Sequence, residues 1–201
     1  MKVLSVCLLV LIASLAELAQ SRKLHLVGCT VGAHTGELRK YYNEMRTDVL
    51  RRDSEMAVRF LSTPTLRNIQ LPDRSEHLLI MCQYNLTMTS FGQEDQTCCF
   101  LQLLLRFYIE RVFSRYSSSG LEDQRSASAL ANAFFSIRRD LTPCNCQCEE
   151  ETHRLMDSVH SEFIQLNVKL AAVKAVGELD TVLDWLEGFR RPGLTGHPGR
   201  K

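Results

Sequence analysis

Several things are missing from this chain of 201 residues, and each absence closes off a class of function. Beyond the N-terminal segment, no apolar run approaches the roughly 20 residues needed to cross a bilayer. The best candidate, Cys98 to Tyr116, is interrupted by Arg106, Glu110, Arg111 and Arg115. The mature chain is therefore not expected to be embedded in a membrane. No excess of one charge appears. The formal net charge is +1, which gives no reason to expect a nucleic-acid partner. Strand alternation of any length is absent, which points away from a β fold. Also absent are a G-x-S-x-G motif, a phosphate-binding glycine loop and a thioredoxin-like C-x-x-C. Catalysis needs a nucleophile, a base and an orienting group, or a metal, converging in a pocket. The histidines are His25, His34, His77, His153, His160 and His197, and most fall in loops, at helix ends or in the tail. Glu178 and Asp180 stand two apart in a helical segment and do not share a face. The chain is not expected to be an enzyme, and no cofactor or metal is called for.

What is present begins at the N-terminus. Lys2 supplies a positive start, Val3 to Leu15 is almost wholly apolar, and Ala19-Gln20-Ser21 places small residues where a signal peptidase reads. This is the pattern of a secretory signal peptide, residues 1–21. A buried first helix is the other reading, but Arg22 and Lys23 follow at once. The next 168 residues or so, 22–189, suit one helical domain with a single core. The tail, RRPGLTGHPGRK at 190–201, is basic and rich in Gly and Pro and is expected to be disordered. Asn85-Leu86-Thr87 is an N-glycosylation sequon, in keeping with an extracellular location.

The periodicity predicts helices. Over 35–52, Leu38, Tyr42, Met45 and Val49 fall on one face, with Thr35 placed to cap. Residues 53–97 read as a long connection broken by Pro64 and Pro72, with LLIMC at 78–82 as a short strand or helix. Residues 98–116 are apolar on nearly every side, which suits the middle of a bundle. A fourth helix over 123–141 carries Leu130, Phe134, Ile137 and Leu141, and Pro143 ends it. A fifth over 149–166 opens on Glu149, Glu150 and Glu151, charges that suit a helix N-terminus. A sixth over 168–189 has a seam of Val168, Ala172, Ala175, Leu179, Val182 and Leu186, with Gly177 allowing close packing. The fold class is all-α, a compact bundle of six or seven helices.

The cysteines then decide between staple, metal and redox chemistry. Cys29, Cys82, Cys98, Cys99, Cys144, Cys146 and Cys148 remain after signal cleavage. An oxidising compartment favours disulfides. Adjacent helical side chains point about 100° apart, so Cys98 and Cys99 face different neighbours and each needs a partner elsewhere. The alternating Cys144, Cys146 and Cys148 are likewise kept from pairing locally, so parallel staples between the two segments are expected, with Cys29 taking the remaining sulfur. A zinc reading is weaker, because structural zinc sites use C-x-x-C or H-x-x-x-H spacing. HTGEL at 34–38 matches the linker of tandem zinc fingers, but no flanking ligand pairs exist and it scans as the start of the first helix.

Taken together, TCCFLQLLLRFYIERVFSRY at 97–116, SALANAFFSIRRDL at 128–141, the C-x-C within 144–148 and AAVKAVGELDTVLDWLE at 171–187 resemble the interleukin-10 cytokine family. The match is closest to its interleukin-19/20/24 branch and is interleukin-20-like. The resemblance implies a compact, disulfide-stapled helical cytokine, monomeric, that brings together two class II cytokine receptor chains and triggers JAK–STAT signalling. It implies the pairs Cys29–Cys144, Cys98–Cys146 and Cys99–Cys148, leaving Cys82 over. It also implies one receptor chain on the first helix, the following loop and the last helix, and another on the first and fourth helices. On this chain those faces offer Arg39, Glu44 and Arg46; Lys174, Glu178 and Thr181; and Arg125, Ser128 and Asn132. Here Asn145 alone separates the first late cysteine from the C-x-C, where the branch has several residues.

Two other readings belong to different classes. A secreted helical carrier would hold an apolar ligand between its helices, which requires a cavity beside Leu104, Phe107, Phe134, Leu179 and Leu183. A secreted hydrolase would show turnover lost on changing a single histidine.

Overall fold

A computed structural model describes residues 23–26, 29–55, 57–62, 66 and 89–188. The signal segment, Cys82, Asn85, LLIMC and the tail 190–201 lie outside the described residues. Two short strands open the chain, β1 (Lys23–Leu26) and β2 (Cys29–Gly32). They pair antiparallel, Lys23 opposite Gly32 and Leu26 opposite Cys29. The all-α reading holds, with this short hairpin added to it. Four residues are too few for alternation to register, and an isolated hairpin is marginal in water. Here the pair is held from outside. Leu24, Leu26 and Val31 are buried, and β1 lies against the helix Thr89–Phe107 and β2 against the helix Leu121–Leu141.

Helix α1 (Thr35–Arg52) has the expected bounds and buries Leu38, Tyr42, Met45 and Val49. His34 holds the cap position, and Thr35 is instead the first, buried helical residue. Helix α2 (Thr89–Phe107) starts earlier than expected and runs into a π-helical turn, Tyr108–Phe113. The wide turn keeps Tyr108 and Val112 buried, and the Tyr108 hydroxyl donates to the carbonyl of Ala175 at 2.9 Å. A pattern read at 3.6 residues per turn cannot show such a widening. Helix α3 (Leu121–Leu141) begins after Gly120, with Glu122 and Asp123 in its first turn, where negative charge suits the dipole. Helix α4 spans Glu150–Gln165.

The expected single last helix is two: α5 (Val168–Gly177) and α6 (Leu179–Gly188). Glu178 lies between them at φ −87°, ψ 2°, the sparsely populated bridge region. Gly177 sits where α5 meets α1. The Tyr42 hydroxyl donates to its carbonyl at 3.0 Å. A Cβ there would stand 3.3 Å from Asp53 Oδ2 and 3.6 Å from Val49 Cγ1.

One core runs through the bundle. Its rings form a chain: Phe60 to Phe163 (5.7 Å), Phe163 to Phe107 (5.2 Å), Phe107 to Tyr108 (5.5 Å), Tyr108 to Phe134 (5.6 Å) and Phe134 to Phe113 (5.4 Å). Phe113 is partly buried; each of the other rings is buried and contributes about 1.5–3 kcal/mol by leaving water. One end of the bundle is cross-linked. Cys29 bonds Cys144, Cys98 bonds Cys146, and Cys99 bonds Cys148. Gln96 closes the same end. Its Oε1 accepts from the Glu149 N–H (2.9 Å) and the Thr152 hydroxyl (2.7 Å), and its Nε2 donates to the Gln147 carbonyl (3.2 Å).

Candidate interaction faces

Helix α1 packs against α3 on one side and against α5 and α6 on another. Each contact leaves a polar rim. On the α6 side, Arg39 reaches Asp180 (3.0 Å), Asp184 (2.6 Å) and Glu187 (3.5 Å), and Arg46 Nε reaches the other Asp180 oxygen at 2.8 Å. Asp180 therefore joins two arginines that stand two turns apart on one face of α1. Below them, burial and then the Asp180 charge push the Tyr42 phenol up to about 12. Asp184 is largely open to solvent, and Arg46 about half. Thr181 is partly covered. Ion pairs at a water-facing rim are screened by solvent and contribute little to stability, so the cluster defines a charged surface more than it holds the fold.

On the α3 side, Glu44 accepts a 2.6 Å hydrogen bond from the Ser126 hydroxyl. Arg125 is exposed beside Glu122 at 3.5 Å, Ser128 donates to the Gln124 carbonyl of its own helix, and Asn132 is exposed. Two large apolar side chains flank these three on the outer stripe: Leu121 and Phe135, 69% and 55% exposed. Sequence reasoning passed over both. The available signal was their spacing, because 121, 125, 128, 132 and 135 follow steps of four and three on a face the buried stripe does not use.

Lys174 and Glu178 stand elsewhere, and their placement on an exposed face is corrected here. Their side chains are only 9% and 10% exposed. Lys174 Nζ lies 3.2 Å from Asp53 Oδ2 and 3.6 Å from Glu178 Oε1. Glu178 Oε2 accepts from the N–H groups of Phe60 and Leu61, each at 3.0 Å. Burial pushes the Glu178 carboxyl up from its ordinary range, against the opposing pull of the Leu61 N–H and of Lys174. A buried charge is tolerated only when paired and hydrogen-bonded, and both conditions are met. The helix break at Glu178 separates its carboxylate, turned to the loop, from Asp180, turned to α1.

Known proteins resemble this chain in sequence and in fold. Mouse interleukin-20 is 33% identical over 171 residues, 83% of this chain and 84% of that protein. The chain belongs to the interleukin-10 family. It falls in the interleukin-19/20/24 branch, as its resemblance indicated, and it is a cytokine. Human interleukin-19 shares the fold with a TM-score of 0.61 at 23% identity, covering 79% of this chain and 90% of the other. An edited human interleukin 24 gives 0.60 at 29% identity, covering 81% and 95%. No protein-family model matches the chain.

The interior of this cytokine bears on the carrier reading. Leu104, Phe134, Leu179 and Leu183 are 0% exposed and Phe107 1%. Surfaces so sealed touch neither solvent nor a void large enough for water, and a ligand beside them has no room. Among the described residues no group of three or more His, Cys, Asp or Glu is placed to hold a metal. Nor is any helix among them long and apolar enough to cross a membrane.

Proposed function

We propose that the chain is secreted after removal of residues 1–21 and acts as a monomer that brings together two class II cytokine receptor chains of the interleukin-20-receptor type. The assembly triggers JAK–STAT signalling. The observation that carries this reading is the pair of polar rims flanking α1 on a closed, cross-linked core. One rim, with Arg39, Arg46 and Thr181, takes one receptor chain. The other, with Glu44, Arg125, Ser128 and Asn132, takes the second. Two partners held on either side of one helix are close enough to be coupled, and a rigid body fixes their relative angle. Only about a third of interface residues carry most of the binding energy, so most of these positions are expected to be neutral. Asn85 is the proposed carrier of an N-linked glycan.

The test adds purified protein to cells displaying a matched receptor pair and measures STAT phosphorylation. A dose-dependent response that requires both chains is expected. Folded protein that gives no response at any dose, with both chains on the surface, would refute the reading.

A further inference from the structure

The segment after α1 is held locally at its start, where the Glu55 N–H donates to Asp53 Oδ1 at 3.1 Å and the Val58 N–H to the Glu55 carbonyl at 3.2 Å. Residues 57–62 lie outside any helix or strand, yet Phe60 and Leu61 are buried and their backbone N–H groups turn inward. Both donate to one carboxylate, Glu178, more than a hundred positions away in sequence. That carboxylate is fixed in turn by Lys174, which Asp53 holds from the end of α1. The Arg59 charge acts on the same carboxylate without an ion pair between them. Phe60 then rests on Phe163 at 5.7 Å. The side chains left facing solvent are Ser54, Ala57 and Arg59. The segment leaves α1 at its cap residue Asp53 and is tied to Glu178, the break residue two positions before Asp180 of the α1–α6 rim.

We infer that Glu178 is a positioning residue of the α1–α6 receptor face. Itself buried, it sets where Arg59 and Ala57 stand, and it tunes affinity for the receptor chain that docks on this side alone. The inference rests on the two-receptor reading. Among the described residues the α3 rim shows no hydrogen bond or ion pair to that carboxylate: Glu44 accepts from Ser126, and Arg125 pairs with Glu122.

The experiment measures binding of wild type, Glu178→Gln and Glu178→Ala to each receptor ectodomain separately, together with amide hydrogen exchange at Phe60 and Leu61. Loss of charge-assisted bonds to two amides is expected to cost about tenfold in affinity for the α1–α6 chain in Glu178→Ala. Glu178→Gln keeps an acceptor and is expected to lose about threefold. Amide exchange should quicken in the same order, and binding to the α3-side chain should stay unchanged. Should Glu178→Ala fail to fold, Glu178→Gln carries the test. Faster exchange with both affinities intact, or with both falling together, would overturn the inference. Wild type that binds neither ectodomain would instead refute the receptor reading.

Discussion

Lys174 shows how a side chain's role depends on what surrounds it. By type and position it belongs on a wet helix face. In the fold its ammonium stands between two nearly buried carboxylates, Asp53 and Glu178. Removing a partner from such a set strands the others, at a cost of about 3 kcal/mol. Lys174→Ala and Lys174→Met should both lower stability by that order in urea unfolding, whereas Arg125→Ala should stay within roughly 0.5 kcal/mol. Equal midpoints for Lys174→Met and wild type would remove Lys174 from the lock. Asp48 gives a second test through pH. The Ser119 hydroxyl, then Arg51 and Arg52, hold its carboxyl at about 2, below the ordinary 3.8, with burial opposing. A carboxylate whose folded value is depressed stabilises above its unfolded value, and that stabilisation is lost as pH falls toward the folded one. Asp48→Asn should therefore cost about 1 kcal/mol at pH 6 and almost nothing near pH 2, the discount reflecting solvent screening. A gap between wild type and variant that stays constant from pH 6 to pH 2 would show that Asp48 is not the titrating group.

At the scale of elements, local pattern located α1, α3 and α4 to within two residues and missed what other segments impose. Val168 to Leu186 has an unbroken seam, and Gly177, read as a packing glycine, is the one local sign in it of the stop at Glu178. The stop comes from the loop amides of Phe60 and Leu61 and from close contact with α1 at Gly177. The hairpin was missed for a related reason: its strands are stabilised by α2, α3 and a disulfide rather than by their own pattern. Gly177 makes the α1–α5 contact testable. A branched side chain there must enter the space of Asp53 and Val49, so Gly177→Val should cost roughly 2 kcal/mol. That corresponds to about a 5 °C fall in Tm for a domain of this size. A Tm equal to that of wild type would mean the helices part easily at this point.

For the molecule as a whole, the three disulfides gather at one end and join the hairpin, α2 and the loop between α3 and α4. Cys29–Cys144 closes a separation of 115 residues, the others 48 and 49. Longer loops remove more freedom from the unfolded chain, and a native disulfide of this class stabilises by roughly 2–5 kcal/mol. The double variant Cys29→Ala/Cys144→Ala is expected to lose about 4 kcal/mol, read as a lower urea midpoint. Full reduction should leave the chain unfolded or molten at 37 °C by near-UV circular dichroism. A reduced protein with unchanged tertiary signal would show that the core alone carries the fold.

Alone, the order of residues determined the helical character, the bounds of α1, the core stripes and the family, because helix periodicity and clustered motifs are written within short stretches. The polar residues of α1 and α3 were legible for the same reason: they fall opposite an apolar stripe. Tertiary structure decided that Lys174 and Glu178 are buried, that the last helix breaks, that a hairpin forms, and that Leu121 and Phe135 stay outside. Each of those depends on which distant groups arrive beside a residue. A carboxylate is a surface group until two amides and an ammonium, brought from elsewhere in the chain, replace its water.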